Sequence, residues 1–245
     1  MMGATGWEFK NRAILFGLIF AVSFSLYSFD PRNSTALLAD WLSPRLGVSG
    51  GLLARMLFGL AAAVLVLAAL LRTWASSYLK ASVVYASEVK TARLVADGPY
   101  RRVRNPLYFA NLLLALGMGA MLSPAGFLVE VILMIVFCYR LILREEAELL
   151  ANQGEAYRQY QEAVPRLAPS LKPRVALAGG RANWAEGFQA EFWYWGFPVS
   201  VASFAFTLNT AAFLVILSLS VALLWVGTRL LPKSGRGARP EDSRR

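Results

Sequence analysis

Six apolar stretches dominate the sequence, each close to the roughly 20 residues of helix needed to cross a hydrocarbon layer. They run from about Ala13 to Phe29, Gly51 to Leu71, Pro106 to Ser123, Pro124 to Leu143, Phe192 to Leu208 and Ala211 to Leu231. In such a layer the backbone N–H and C=O groups have no water to bond, so stretches of this kind fold as helices that satisfy their own hydrogen bonds. The sequence therefore predicts an all-α fold, a polytopic transmembrane helical bundle of about six spans. A signal peptide is the competing reading of the first stretch, which follows Lys10 and Arg12, but Ser23, Ser25, Tyr27 and Asp30 form no small-residue cleavage site. The fifth stretch is interrupted by Gly196 and Pro198, a pattern that a re-entrant segment would share.

Basic residues set the orientation, because cytoplasmic loops retain positive charge. With the amino terminus inside, Lys10 and Arg12, the basic residues from Arg72 to Arg104, those from Arg140 to Arg181 and those from Arg229 to Arg245 all fall on the inner side. The outer side keeps only Arg32, Arg45 and Arg55. A multi-pass integral membrane protein with both termini cytosolic is expected. The net charge of +10 reads as topology plus attraction to anionic lipid. It does not read as nucleic-acid binding, because the basic residues are divided among membrane-flanking loops instead of gathered on one face. There is no histidine and a single cysteine, Cys138, so intrachain disulfides, a His/Cys metal cage and an imidazole base are all excluded.

Four regions follow from this layout. Residues 1–93 form an N-terminal transmembrane region with two spans, 94–170 a core with two spans and a cytosolic helix, 171–231 a linker with two further spans, and 232–245 a basic, Gly/Pro-punctuated tail expected to be disordered. Two inner segments, Arg72 to Asn105 and Arg144 to Phe188, carry more polar and aromatic residues than a connector needs.

The first of these ends in Asp97-Gly98-Pro99, a turn, and Asn105-Pro106, read as an N-cap followed by proline at the first helical position. A capped membrane helix accounts for those residues. It does not account for Tyr100 and Tyr108 beside Arg104, an aromatic and cationic cluster at a helix amino terminus, where a ligand anion is favoured. Leu116-Gly117-Met118-Gly119 allows a close approach of either a neighbouring helix or a ligand. The fourth span leaves through Arg140, Arg144, Glu145 and Glu146, and paired glutamates at a helix carboxyl end oppose its dipole. Glu130, six residues into that span, is a functional hypothesis by default, but it lies toward the outer leaflet, away from the cytosolic motifs, and protonation or pairing with Arg55 is the plainer account. Trp193, Tyr194 and Trp195 are expected to form an interfacial aromatic belt.

In combination, Gly-Pro-Tyr at 98–100, Arg-Asn-Pro-x-Tyr at 104–108, Gly-x-Gly at 117–119, Glu-Glu at 145 and 146, Gly-x-x-Tyr-x-x-Tyr from 154 and Val-Pro-Arg at 164 resemble the isoprenylcysteine carboxyl methyltransferase and phospholipid N-methyltransferase superfamily. The resemblance covers Leu94 to Pro169. It implies an integral membrane enzyme that uses S-adenosylmethionine on the cytosolic side and takes a lipid or lipidated substrate from the bilayer. It also implies that Leu94, Val95, Tyr100, Asn105, Pro106, Leu107, Tyr108 and Glu145 line the cofactor pocket. The chain departs from the family at Asn105, where histidine is common, at Ala110, where glycine is common, and at Leu141, where the prenylcysteine enzymes carry arginine.

The chemistry suits these residue types. A methyl group on a sulfonium is already activated, so transfer needs positioning more than an acid or base. Glu145 or Glu146 can accept hydrogen bonds from a ribose diol, Tyr100 or Tyr108 can face a sulfonium, and Arg104 or the helix start near Asn105 can meet a carboxylate. Arg140 or Arg144 can hold a substrate carboxylate or phosphate, and Glu146 can take a proton from an amine acceptor. Two rival readings are an NADPH-dependent membrane reductase of the sterol type and a non-catalytic membrane scaffold.

Overall fold

A computed structural model describes residues 3–88 and 95–230, without the side chains of 80–88 and 224–230. Leu94 and the basic tail lie outside the described residues. Among those described, all regular structure is helical. The elements are α1 (Gly6–Lys10), α2 (Arg12–Ser25) running into a 3-10 turn, α3 (Ser34–Leu46), α4 (Gly50–Glu88), a 3-10 turn at Gly98–Arg101, α5 (Pro106–Gly119) and α6 (Pro124–Gln153). Then come α7 (Glu155–Ala163), α8 (Trp184–Glu191), a 3-10 turn at Phe192–Trp195, α9 (Gly196–Thr207) and α10 (Thr210–Leu230).

Two helices are long and apolar enough to cross a membrane, Gly50–Leu79 within α4 and Pro124–Gln153, which is α6. The other predicted spans are shorter. The 14 residues of α5 rise about 21 Å at about 1.5 Å per residue, less than the roughly 30 Å of a hydrocarbon core. The 12 residues of α9 are shorter still. The segment read as an outer loop contains α3, started by Asn33, whose side chain accepts from Ala36 N at 3.0 Å.

Helix α5 lies between two packed layers. On one side Leu65, Ala68 and Ala69 of α4 meet Ala110, Leu114 and Met118 of α5 and Val201 of α9. On the other, Ala115 of α5 meets Ile19 of α2 and Met134, Phe137, Cys138 and Leu141 of α6. Glycines permit both contacts. A methyl group added at Gly117 would lie 2.5 Å from the Leu65 side chain, and one at Gly119 would collide with Phe127. These two glycines, expected as possible ligand contacts, therefore serve helix packing, since neighbouring side chains fill their space.

The bundle has two distinct ends. At one, the carbonyls of the turn that follows α5 are satisfied from outside it. Tyr27 Oη donates to Met121 O at 2.7 Å, Thr35 Oγ1 to Ala120 O at 2.8 Å and Ser34 N to Leu122 O at 2.9 Å. Orphan helix-end carbonyls need such donors. Arg55 reaches the same end of α9 through the carbonyls of Ala205 and Phe206. It is thus engaged away from Glu130, which is buried on α6 with neither carboxylate oxygen partnered among the described residues, so of the two alternatives for Glu130 the pair with Arg55 is not formed. The opposite end gathers the described residues before α2, residues 95–105, and the whole of 140–195. There Asn183 N donates to Ser77 O and Arg104 N to Pro165 O, each at 2.9 Å.

Candidate active site at the charged end of the bundle

The turn into α5 is built around Gly98, whose φ of +59° favours glycine. Any side chain there would also run into the ring of Tyr78 on α4. Pro99 and Tyr100 are buried beneath it. Asp97 pins the strap that follows α7, accepting from Ala178 N at 2.8 Å and Gly180 N at 2.6 Å. Tyr160 of α7 donates its hydroxyl to Tyr100 O at 2.8 Å, and Ser170 N and Arg174 N donate to Arg102 O and Arg101 O. The 97–104 segment and the 165–180 strap thus form one layer over the bundle end.

The two glutamates of α6 have different surroundings. Glu146 is buried and accepts from Arg104 Nε at 3.1 Å, Asn105 Nδ2 at 3.0 Å, Gln161 Nε2 at 3.2 Å and Arg166 Nε at 2.9 Å. These four donors engage both oxygens, so Glu146 ties the α5 start to α7 and the Val164-Pro165-Arg166 turn. The arrangement uses Glu146 as a hub and does not suit a proton acceptor. Arg104 is bound into it too, donating also to Val164 O at 2.9 Å and to Gln161 O. Asn105 occupies the N-cap position without capping α5, because its side chain is spent on Glu146 and Arg166 O.

Glu145 faces elsewhere. Its Oε1 accepts from Tyr108 Oη at 2.7 Å, and Oε2 has no hydrogen-bond partner among the described residues. Tyr100 lies in the field of Glu145 and Glu191, and burial together with these carboxylates pushes its phenol pKa up. Pro106 is buried and Val95 and Leu107 are half-buried along the same segment. Arg140 and Arg144 are taken by the amino terminus. Arg140 Nη2 holds Glu8 Oε2 at 2.8 Å, while Arg144 pairs with Glu148 at 2.8 Å and lies over Phe9, its centroid 5.3 Å away.

Four polar residues that the sequence reading missed stand beside Tyr100. Arg72 Nε donates to Glu191 Oε2 at 2.6 Å and its Nη1 to Asn111 Oδ1 at 2.7 Å, while Ser76 Oγ donates to Glu191 Oε1 at 2.7 Å. Asn111 was the visible signal, one amide in the otherwise apolar run of α5. Tyr194 is buried beneath Arg72 and donates to Ala110 O at 3.1 Å, and Trp195 Nε1 donates to Thr73 Oγ1 at 3.2 Å. The expected aromatic belt is therefore in part a packing element, with Tyr194 wholly inside.

Two curated proteins and one family model are similar to parts of this chain. The cobalt-zinc-cadmium resistance protein CzcN of Cupriavidus metallidurans is 33% identical over 128 residues, 49% of this chain and 57% of its own length. The nickel-cobalt-cadmium resistance protein NccN of Alcaligenes xylosoxydans xylosoxydans is 31% identical over 88 residues, 36% of this chain and 41% of its own. The chain thus spans about half the length of these curated relatives. No solved structure matches it. The family model described as phospholipid methyltransferase matches residues 55–154, from the first turns of α4 to the glycine that ends α6. Over that segment the chain is similar to the phospholipid methyltransferase family, which lies within the superfamily of integral membrane methyltransferases.

Proposed function

We propose that this protein transfers a methyl group from S-adenosylmethionine to a membrane-resident acceptor, with a phospholipid amine favoured over an isoprenylcysteine-like carboxylate. The family match favours the amine, and Leu141, standing where the prenylcysteine enzymes carry arginine, weakens the other choice. The proposal includes six spans, both termini and the site on the cytosolic side, and a core at 94–170 flanked by the transmembrane regions 1–93 and 171–231. The single observation that carries it is the Tyr108–Glu145 hydrogen bond of 2.7 Å at one end of the bundle, with Glu145 Oε2 unpartnered among the described residues and Tyr100 in the field of that carboxylate.

These residues fit the cofactor. S-adenosylmethionine, when bound, supplies a methyl group already activated on a sulfonium. A carboxylate with a free oxygen accepts from a ribose diol. Tyrosine faces attract a sulfonium by about 0.5–2 kcal/mol. Tyr108 fixes the rotamer of Glu145, and the Glu146 hub fixes the α5 start, so the chain contributes orientation. Glu146, Arg104, Arg140 and Arg144 then act as supports, and Gly117 and Gly119 act through helix packing.

The relatives are named for resistance to cobalt, zinc, cadmium and nickel. With no histidine and one buried cysteine, this chain has few of the donors such ions prefer, so the reading rests on the family's chemistry. Radiolabelled S-adenosylmethionine binding to detergent-purified protein, followed by label transfer into phosphatidylethanolamine vesicles, tests it. Glu145→Gln is expected to weaken cofactor binding about tenfold or more, the usual scale for a hydrogen bond to a charged group, with an unchanged melting temperature. Binding of NADPH in place of S-adenosylmethionine, or unchanged affinity in Glu145→Gln, counts against it.

A further inference from the structure

The ion pair where α4 crosses α8 is not used by the reading above. Arg72 spends Nε on Glu191 Oε2 at 2.6 Å, Nη2 on Glu191 Oε1 at 3.3 Å and Nη1 on Asn111 Oδ1 at 2.7 Å, and its guanidinium lies 4.7 Å from the ring centroid of Tyr194. A guanidinium carries five N–H donors. One on each terminal nitrogen therefore has no partner among the described residues, and the Arg72 side chain keeps 16% of its surface open while that of Glu191 keeps 8%.

Stability alone explains this arrangement poorly, since a buried ion pair gains little over an apolar pair of equal volume. The placement gives a better reason. Asn111 lies one turn after Tyr108 on α5, and it holds the guanidinium by a 2.7 Å hydrogen bond at the same end of the bundle as Tyr100. Tyr100 feels Glu145, Glu191 and Arg72 together. Glu191 lies beyond the family-matched segment, which ends at residue 154, and reaches the site because α8 packs on α4 where Gly187 meets the Ser77 backbone.

We propose that Arg72 holds an anionic group of the methyl-transfer ligands and that Glu191, supplied by α8 from outside the family-matched segment, is the residue that positions it. This rests on the methyl-transfer reading. The anion is the carboxylate of S-adenosylmethionine or the phosphate of a phospholipid acceptor.

Glu191→Gln alone leaves the buried Arg72 charge uncompensated and lowers the melting temperature. The deciding variant therefore combines Arg72→Met with Glu191→Met, which removes both charges at similar volume. It is expected to melt at or above the wild-type temperature while ligand handling falls about tenfold or more. If the anion is the cofactor carboxylate, the wild-type preference for S-adenosylmethionine over its decarboxylated form disappears. If it is the lipid phosphate, KM for phosphatidylethanolamine in mixed micelles rises with S-adenosylmethionine affinity unchanged. A double variant that melts normally and keeps both constants overturns this proposal and leaves methyl transfer standing; wild-type protein that binds no S-adenosylmethionine overturns both. Should the double variant not fold, Arg72→Lys decides, because it keeps the charge and loses the planar fork: a shift of either constant in the same direction supports the proposal, and no shift overturns it.

Discussion

Neighbouring residues on a helix point about 100° apart, and that rotation separates Glu145 from Glu146. One meets a single tyrosine hydroxyl and keeps an oxygen open; the other meets two arginines and two amides. Glu146→Ala is expected to destabilise the protein by about 3–5 kcal/mol, since Arg104 would keep a buried charge without its partner. A thermal melt in detergent checks this, and a melting temperature equal to wild type would remove Glu146 from the centre of the α5–α7 junction. The glutamate pair was legible in the sequence as an oddity at a helix end, but which of the two faces inward depends on where α7 docks. Arg72 and Glu191 were illegible for a related reason. They are 119 residues apart, each at the edge of an apolar run where a charged residue is ordinary, and only the packing of α8 on α4 joins them.

Among the elements, the close helix pairs rest on glycines, and their replacement separates packing from propensity. A methyl group at Gly126 of α6 would lie 2.5 Å from the backbone oxygen of Ser23 on α2, an atom that no side-chain rotation can move aside. Gly126→Ala is therefore expected to cost about 1–3 kcal/mol as overpacking. Gly59 of α4 has nothing within 4 Å of the added carbon, so Gly59→Ala is expected to be neutral or to stabilise by up to about 1 kcal/mol through helix propensity. Melting the two variants side by side checks the contrast; equal shifts would show that Ser23 moves freely. Helix α1 answers to pH. The Arg140 guanidinium, helped by the Thr5 backbone N–H, holds the Glu8 carboxyl down to about 2 from its ordinary 4.5. A lowered carboxyl contributes fully above 4.5 and progressively less as pH falls toward 2, so the Phe9 and Asn11 amides are expected to lose hydrogen-exchange protection across that window, ahead of α6. The apolar runs made the helices themselves legible. Their lengths were not, because the turn that ends α5 is held by Tyr27, Ser34 and Thr35, residues distant in sequence, and those same bonds tie the start of α3 to that turn.

At the scale of the whole molecule, the contacts sort the connections into two sets, and the sorting agrees with the charge asymmetry of the sequence. The ends of α2, α5 and α9 and the starts of α3 and α4 share one end, which holds Arg32, Arg45 and Arg55. The other end holds the 97–104 turn, α7, the strap and α8, with most of the remaining basic residues among those described. Basic loops stay on the cytosolic side, so the proposed orientation places Lys172 of the strap inside and Asn209, between α9 and α10, outside. The chain lends itself to this test because its one cysteine, Cys138, is buried in the α2–α6 layer. On a Cys138→Ala background, Lys172→Cys in intact cells is expected to resist a membrane-impermeant maleimide until the membrane is opened, whereas Asn209→Cys is labelled at once. Both positions labelling from the same face would break the six-span arrangement, since an odd number of crossings must separate them; labelling with the sides exchanged would keep the spans, move the site to the outer face and remove it from cytosolic S-adenosylmethionine.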